Sequence, residues 1–339
     1  MKRLALWQDK CMDGQLLPLG LWQLFRLRQL DGEALLRGTG LFATDLQHPG
    51  LRVSPRQLCA LLSNARKLWP GDDLAFLLGQ HWLPSQSGAL TNGLLCAPDL
   101  ERALSFWGRY HWLSQPWLRP TRWHQDDHSH WQLQLDLGLQ THHQFLLELA
   151  LSTLTATAKR LSPRPLHFHI QLPYPAPAHP HHYWKYLGPE VQFGAAMTRI
   201  SLPRVELQRP LPGADLAGFQ LAWRQCRQRL QAEPWQRGLP AAVLARLERP
   251  QHQGDALPQI AKDLATSPAT LKRRLKAFGL AFQPLQDQAR LGQALYLLSI
   301  QGAANADVAR QLQFADGGNF RRSFKRWTGL LPSQFSRLT

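Results

Sequence analysis

The sequence predicts an α+β N-terminal domain joined to an all-α C-terminal domain, in which two helix-turn-helix motifs are linked by a long helix. Three observations predict this. Helical spacing of apolar residues dominates the first ~110 positions, an alternating pattern enters between about 117 and 200, and the last third carries one helix-pair pattern twice. The chain has 339 residues, enough for two or three separate cores.

Apolar residues recur with helical period over 19–28 and 55–69, and Pro70-Gly71-Asp72-Asp73 makes a turn before a helix at 74–78. Pro98-Asp99-Leu100 opens another helix with Ala103, Leu104, Trp107 and Tyr110 on one side. Residues 117–124 and 130–137 read as paired strands about the acidic loop Asp126-Asp127, the second alternating Trp131, Leu133, Leu135 and Leu137 with polar residues. A helix over 143–160 and a strand over 165–172 follow. The run Tyr174-Pro175-Ala176-Pro177-Ala178-His179-Pro180 is too rich in proline for regular structure and leads into a short helix at 181–187. Short strands are expected at 191–193 and 199–200, and the first domain, 1–213, closes at Pro212-Gly213. Residues 214–234 hold a helix with Leu216, Phe219, Trp223, Cys226 and Leu230 on one side, expected as a linker or an oligomerisation helix. The third unit, 235–339, begins with a helix at 240–248 and a polar break at 250–254.

The repeated pattern then begins. Its first copy is Ile260-Ala261-Lys262-Asp263-Leu264, a break at Thr266-Ser267-Pro268, and a second helix in which Leu271, Leu275 and Phe278 stand at i, i+4, i+7. That stripe turns Ala269, Arg273 and Lys276 toward solvent. The second copy is Val308-Ala309-Arg310-Gln311-Leu312, a break at Asp316-Gly317-Gly318, and a helix whose stripe is Phe320, Phe324 and Trp327, so Gly318, Arg322 and Lys325 face outward. A helix over 284–298 spaces the copies and fixes their relative orientation. One basic amphipathic helix is most simply a solvated face. Two in phase, each with an apolar back and a cationic front, have what a helix needs to meet phosphates and base edges.

Composition points the same way. The formal net charge is +16, which favours a polyanionic partner. Residues 251–339 hold twelve Lys or Arg against five Asp or Glu, so +7 of that charge is concentrated in about a quarter of the chain. Cys11, Cys59, Cys96 and Cys226 lack metal-type spacing and are too few for a disulfide scaffold, which suits a reducing cytoplasm. The apolar start is broken by Trp7-Gln8-Asp9-Lys10, and no run approaches the ~20 apolar residues of a membrane span. A membrane partner is not expected.

Other constellations weigh less. His167 and His169 alternate on one strand face with His179, His181 and His182 nearby, yet no thiolate or carboxylate joins them at ligand spacing, so neither metal nor cofactor is expected. Trp107, Trp112, Trp117, Trp123 and Trp131 read as core packing, with an aromatic effector pocket as the alternative. No phosphate-binding loop, Gly-x-Ser-x-Gly or His-Glu-x-x-His occurs, and the expectation is a non-enzyme with no catalytic residues. Two other readings stay open: an enzyme that docks on nucleic acid through the helix pairs, and a binder without sequence preference.

The tandem copies resemble the DNA-binding domain of the AraC/XylS family of bacterial transcription regulators. The resemblance is carried by Ser267-Pro268-Ala269-Thr270-Leu271-Lys272-Arg273-Arg274-Leu275, and most specifically by Gly317-Gly318-Asn319-Phe320-Arg321-Arg322-Ser323-Phe324-Lys325-Arg326-Trp327-Thr328-Gly329 followed by Pro332-Ser333. The N-terminal part is similar to the effector domain of one branch of that family, through Leu172-Pro173-Tyr174-Pro175-Ala176-Pro177, Tyr186-Leu187-Gly188, Val191-Gln192-Phe193-Gly194 and Arg209-Pro210-Leu211-Pro212-Gly213-Ala214-Asp215. The resemblance implies two recognition helices entering successive major-groove segments of promoter DNA, roughly 34 Å apart. It further implies control by a small-molecule effector, RNA polymerase as a partner, and a homodimer among the admissible forms. Where relatives commonly carry Arg, this chain has Ala269, and Gly318 at the equivalent place in the second copy; neither makes the bidentate contact to guanine. Base reading is therefore expected from Thr270, Arg273, Asn319 and Arg322, and phosphate contacts from Lys272, Lys276, Arg321, Lys325 and Arg326.

Overall fold

A computed structural model describes residues 3–81, 88–125, 127–135, 137–178, 180–195, 197–249, 256–299, 301–328 and 331–335. Short strand β1 (Arg3–Ala5) opens the chain, and β2 (Met12–Asp13) pairs antiparallel with β3 (Arg52–Val53). Between and after them lie α1 (Leu17–Leu27), α2 (Gly32–Leu36), α3 (Ala43–Leu46), α4 (Pro55–Leu68), α5 (Leu74–His81), α6 (Ala89–Leu95) and α7 (Leu100–Tyr110). Local chemistry sets the starts. Ser54 caps α4 by accepting from the Gln57 N–H while the Gln57 side chain takes the Ser54 N–H, and Pro55 fills the first turn. Asp99 caps α7 through the Arg102 N–H.

The sheet follows. β4 (Leu118–Gln125) and β5 (His128–Leu135) form an antiparallel hairpin, and β6 (His169–Gln171), β7 (Val191–Gln192) and β8 (Arg199–Pro203) complete five strands in the order β4-β5-β8-β6-β7. Buried Trp131, Leu133 and Leu135 confirm the alternation. The strand expected over 165–172 is shorter, only His169–Gln171, because proline at 163 and 165 denies the preceding stretch ladder donors. Asp126, His179, the break at 250–254 and Gly329 lie outside the described residues.

Helix α8 (His143–Leu161) is buried on nearly every side, as a central helix must be. It approaches α5 so closely that a Cβ on Gly79 would stand 2.6 Å from Ser152 Cβ, and Ser152 Oγ donates to the Phe76 carbonyl at 2.8 Å. After α9 (His181–Leu187) and α10 (Arg204–Leu207), α11 (Leu216–Ala232) buries Phe219, Ala222 and Cys226 in the same N-terminal core, and Phe219 packs on Phe106. Trp107, Trp112, Trp117 and Trp131 are buried in this core too, as the packing reading expects. The cavity touching Trp107 measures only about 20 Å³, room for about one water.

No periodic pattern announces β9 (Trp235–Gly238), which pairs parallel with β1 and brings the N-terminus against the C-terminal unit. α12 (Leu239–Leu247) then begins a second core with α13 (Ala256–Asp263), α14 (Pro268–Ala277) and the first half of α15 (Phe282–Ser299). A third, smaller core gathers the rest of α15 with α16 (Asn305–Gln311) and α17 (Gly317–Thr328), and α18 (Pro332–Phe335) follows. Bidentate Arg119–Glu248 ties β4 to the end of α12. Beyond it a cleft of about 540 Å³ separates the polar side chains of β4–β5 from α15.

Candidate nucleic-acid interface

The two helix pairs turn on the same hydrogen bonds. α13 ends with Ala265 in the left-handed region, φ 49°; its N–H donates to the Lys262 carbonyl and that of Thr266 to the Ala261 carbonyl, each at 2.9 Å. α16 ends with Gln313 at φ 57°, its N–H on the Arg310 carbonyl at 3.1 Å and that of Phe314 on the Ala309 carbonyl at 2.9 Å. Both are Schellman closures, which satisfy the orphan carbonyls of a helix end and swing the chain sharply into the next helix.

Each second helix is then capped. Ser267 Oγ accepts the Thr270 N–H at 3.2 Å in α14, and Asp316 Oδ1 accepts the Asn319 N–H at 2.6 Å in α17. Leu271 and Leu275 of α14 are fully buried and Phe278 nearly so; Phe320 and Phe324 of α17 are fully buried, while Trp327 is half-buried. Seating these stripes turns Ala269, Lys272, Arg273 and Lys276 to solvent on one helix, and Gly318, Arg321, Arg322, Lys325 and Arg326 on the other.

The expected base readers differ between copies. Thr270 is half-buried and its hydroxyl accepts from Ser267 Oγ at 3.0 Å, whereas Arg273 is exposed. On α17 a relay fixes both candidates: Asn319 Nδ2 donates to Asp316 Oδ2 at 2.9 Å, and Arg322 Nη2 donates to Asn319 Oδ1 at 2.5 Å. Arg326 bonds Asp287 of α15 at 3.0 Å, so part of its donor capacity serves the fold. Asp316 and Asp287 were not among the expected residues. The Asp316 cap has a sequence signal, an Asp just ahead of a basic amphipathic run; Asp287 has none, being 39 residues from its partner.

The other candidate constellation disperses. His169 faces Glu190 at 3.7 Å and His182 pairs with Asp72 at 2.9 Å. Among the described residues no group of three or more His, Cys, Asp or Glu converges as metal ligands. Among the described residues the cysteines at 11, 59, 96 and 226 form no disulfide, and no described helix is long and apolar enough to cross a membrane.

Two cationic helices, identically turned and mounted on a helical unit beside an α+β domain, define a two-domain DNA-binding protein. The chain belongs to the AraC family of transcription regulators: the arabinose-binding domain of that family, an N-terminal domain, matches residues 30–211, and a helix-turn-helix domain matches 260–338. An uncharacterised HTH-type transcriptional regulator of Mycobacterium tuberculosis is 34% identical over 148 residues, 44% of this chain and 43% of its own. The ornithine utilization regulator of Pseudomonas aeruginosa is 34% identical over 154 residues, 45% of each chain. These alignments take in less than half the length of either relative. The crystal structure of the transcriptional regulator CdpR from Pseudomonas aeruginosa aligns over 94% of this chain and 96% of its own, at 20% identity and a TM-score of 0.45.

Proposed function

We propose that the protein is a sequence-specific transcription regulator that grips double-stranded promoter DNA with two helix-turn-helix motifs, α13–α14 and α16–α17, spaced by α15. The observation that carries this is the identity of the two turns and caps: the same Schellman closure and a capped second helix present cations at matching positions twice. Thr270, Arg273, Asn319 and Arg322 are its base-reading candidates, and Lys272, Lys276, Arg321, Lys325 and Arg326 its phosphate contacts. An N-terminal unit, 1–213, takes a small-molecule effector, and 214–234 joins it to the DNA-binding unit, 235–339. Its working place is the bacterial cytoplasm, with RNA polymerase as a partner and a homodimer among the admissible forms.

The test is titration of a specific site against salt. Five phosphate contacts predict a slope of log K on log salt of about −4 to −5. The site must also survive competitor DNA, since specific complexes are ~10³-fold or more tighter than non-specific ones. Binding that competitor DNA abolishes equally at all sequences contradicts the reading.

A further inference from the structure

A cavity of about 230 Å³ lies inside the N-terminal domain, between the end of α4, the start of α5, the first two turns of α8, and α9. Drug-sized sites run ~300–1,000 Å³, so this one suits a small metabolite. Trp69, Phe76 and Phe145 give it aromatic walls. Its polar floor is Glu148, the one acidic residue of α8, which is only 7% exposed. Glu148 Oε1 accepts from Gln144 Nε2 at 2.9 Å and from the Tyr183 hydroxyl.

A buried carboxylate is costly unless a cation answers it or it takes up a proton. Among the described residues Glu148 forms no ion pair: Arg66, the cationic residue in the wall, donates instead to the Thr141 carbonyl at 3.3 Å. Asp72, also in the wall and bonded to His182, adds a second carboxylate. Burial drives the Glu148 carboxyl above its usual range and Asp72 adds to it, against the Tyr183 and Gln144 hydrogen bonds and the Arg66 charge, which lower it. Arg66 acts on Glu148 only through space and His182 is taken by Asp72, so the cavity has a place for one further cation on an apolar stem beside Glu148.

We propose that this cavity is the effector site and that its ligand is a small primary amine, the ammonium held by Glu148 and the hydrocarbon lying between Trp69, Phe76 and Phe145. The assignment rests on the effector-controlled reading above and gives it a route. Gln144 and Phe145 stand in the first turn of α8, which follows the turn at Leu137 and Gly138 (φ 58° and 67°) after one short 3-10 turn, Gln140–His142. Gly138 lies so close to α14 that a Cβ there would be 2.5 Å from Phe278 Cβ. A ligand bonded at Gln144–Glu148 therefore sits six residues from a contact on the end of the first DNA-facing helix.

The experiment is calorimetric titration of the full chain with n-butylamine, 1,4-diaminobutane and L-lysine, with pentanoate and glucose as controls, alongside DNA affinity with and without amine. Saturable binding of one or more amines, no binding of the controls, and a changed DNA affinity are expected. Glu148→Gln keeps the shape and should weaken amine binding on the order of tenfold or more. Asp72→Asn, at an exposed position, should weaken it about threefold without disturbing the fold. Undiminished amine binding by Glu148→Gln overturns the assignment, as does amine binding that leaves DNA affinity unchanged. A chain that holds a specific DNA site yet binds no amine overturns the pocket and leaves the regulator reading standing. Glu148-dependent amine binding by a chain with no specific DNA site upholds the pocket and overturns that reading instead.

Discussion

The two helix pairs share their turns but not their surroundings. The first is built into the rest of the molecule: its core takes in Leu4, Leu6 and Trp7 from the N-terminus, Trp7 packs edge-on against Phe278 at 5.5 Å, and the Gly138 turn presses on the same ring. The second stands on a small core of its own, which Met197 joins from the N-terminal domain, and a cleft separates much of α15 from the sheet. In exchange, α17 carries a polar relay, Asp316–Asn319–Arg322, for which the α14 pair has only the Ser267–Thr270 bonds. The difference teaches a division of labour under the proposed function: the first pair packs against the N-terminal domain, and on the second the base-reading candidates Asn319 and Arg322 are held in place by Asp316.

Removing the seats should hit hardest. Phe324→Ala is expected to destabilise the third core by ~3–5 kcal/mol and Leu275→Ala the second by ~2–5 kcal/mol. Denaturant melts check this, and only Leu275→Ala should also loosen the N-terminal contact at Phe278. Next come the base-reading candidates. Arg322→Ala should lose ~1–3 kcal/mol of discrimination at one base step, measured by competition among single-base variants of the site; an equal loss on every sequence would refute its base-reading role. Cap removal is smaller. Asp316→Ala and Ser267→Ala should each cost ~1 kcal/mol of stability, but only Asp316→Ala should also relax sequence preference, because it frees Asn319 and Arg322. Smallest is Lys325→Ala, expected to weaken all sequences alike and make the salt slope shallower by ~0.9.

How legible all this was depends on the range of the interactions. The stripes Leu271-Leu275-Phe278 and Phe320-Phe324-Trp327 obey a 3.6-residue period, and five of these six side chains are buried where that period puts them. The hairpin β4–β5 and helices α4, α7 and α8 were readable for the same reason. The β1–β9 pair was not, since three- and four-residue strands more than 200 positions apart leave no periodic trace. Ala265 and Gln313 hid the turns, because a left-handed residue is usually announced by glycine. The outward cations were legible as a face; the bonds of Asn319 to Asp316 and of Arg326 to Asp287 were not. The amine-sized cavity draws on residues from Arg66 to Tyr183 and becomes visible only once α4, α5, α8 and α9 are assembled.

Hydroxyl-radical footprinting of the full chain on a selected high-affinity site tests the central claim most directly. Two protected patches on one face of the duplex, about one helical turn or ~10 base pairs apart, are expected, with Arg322→Ala erasing contrast in one patch alone. A single patch, or protection that follows the chain onto any sequence, would contradict a grip by two helix pairs.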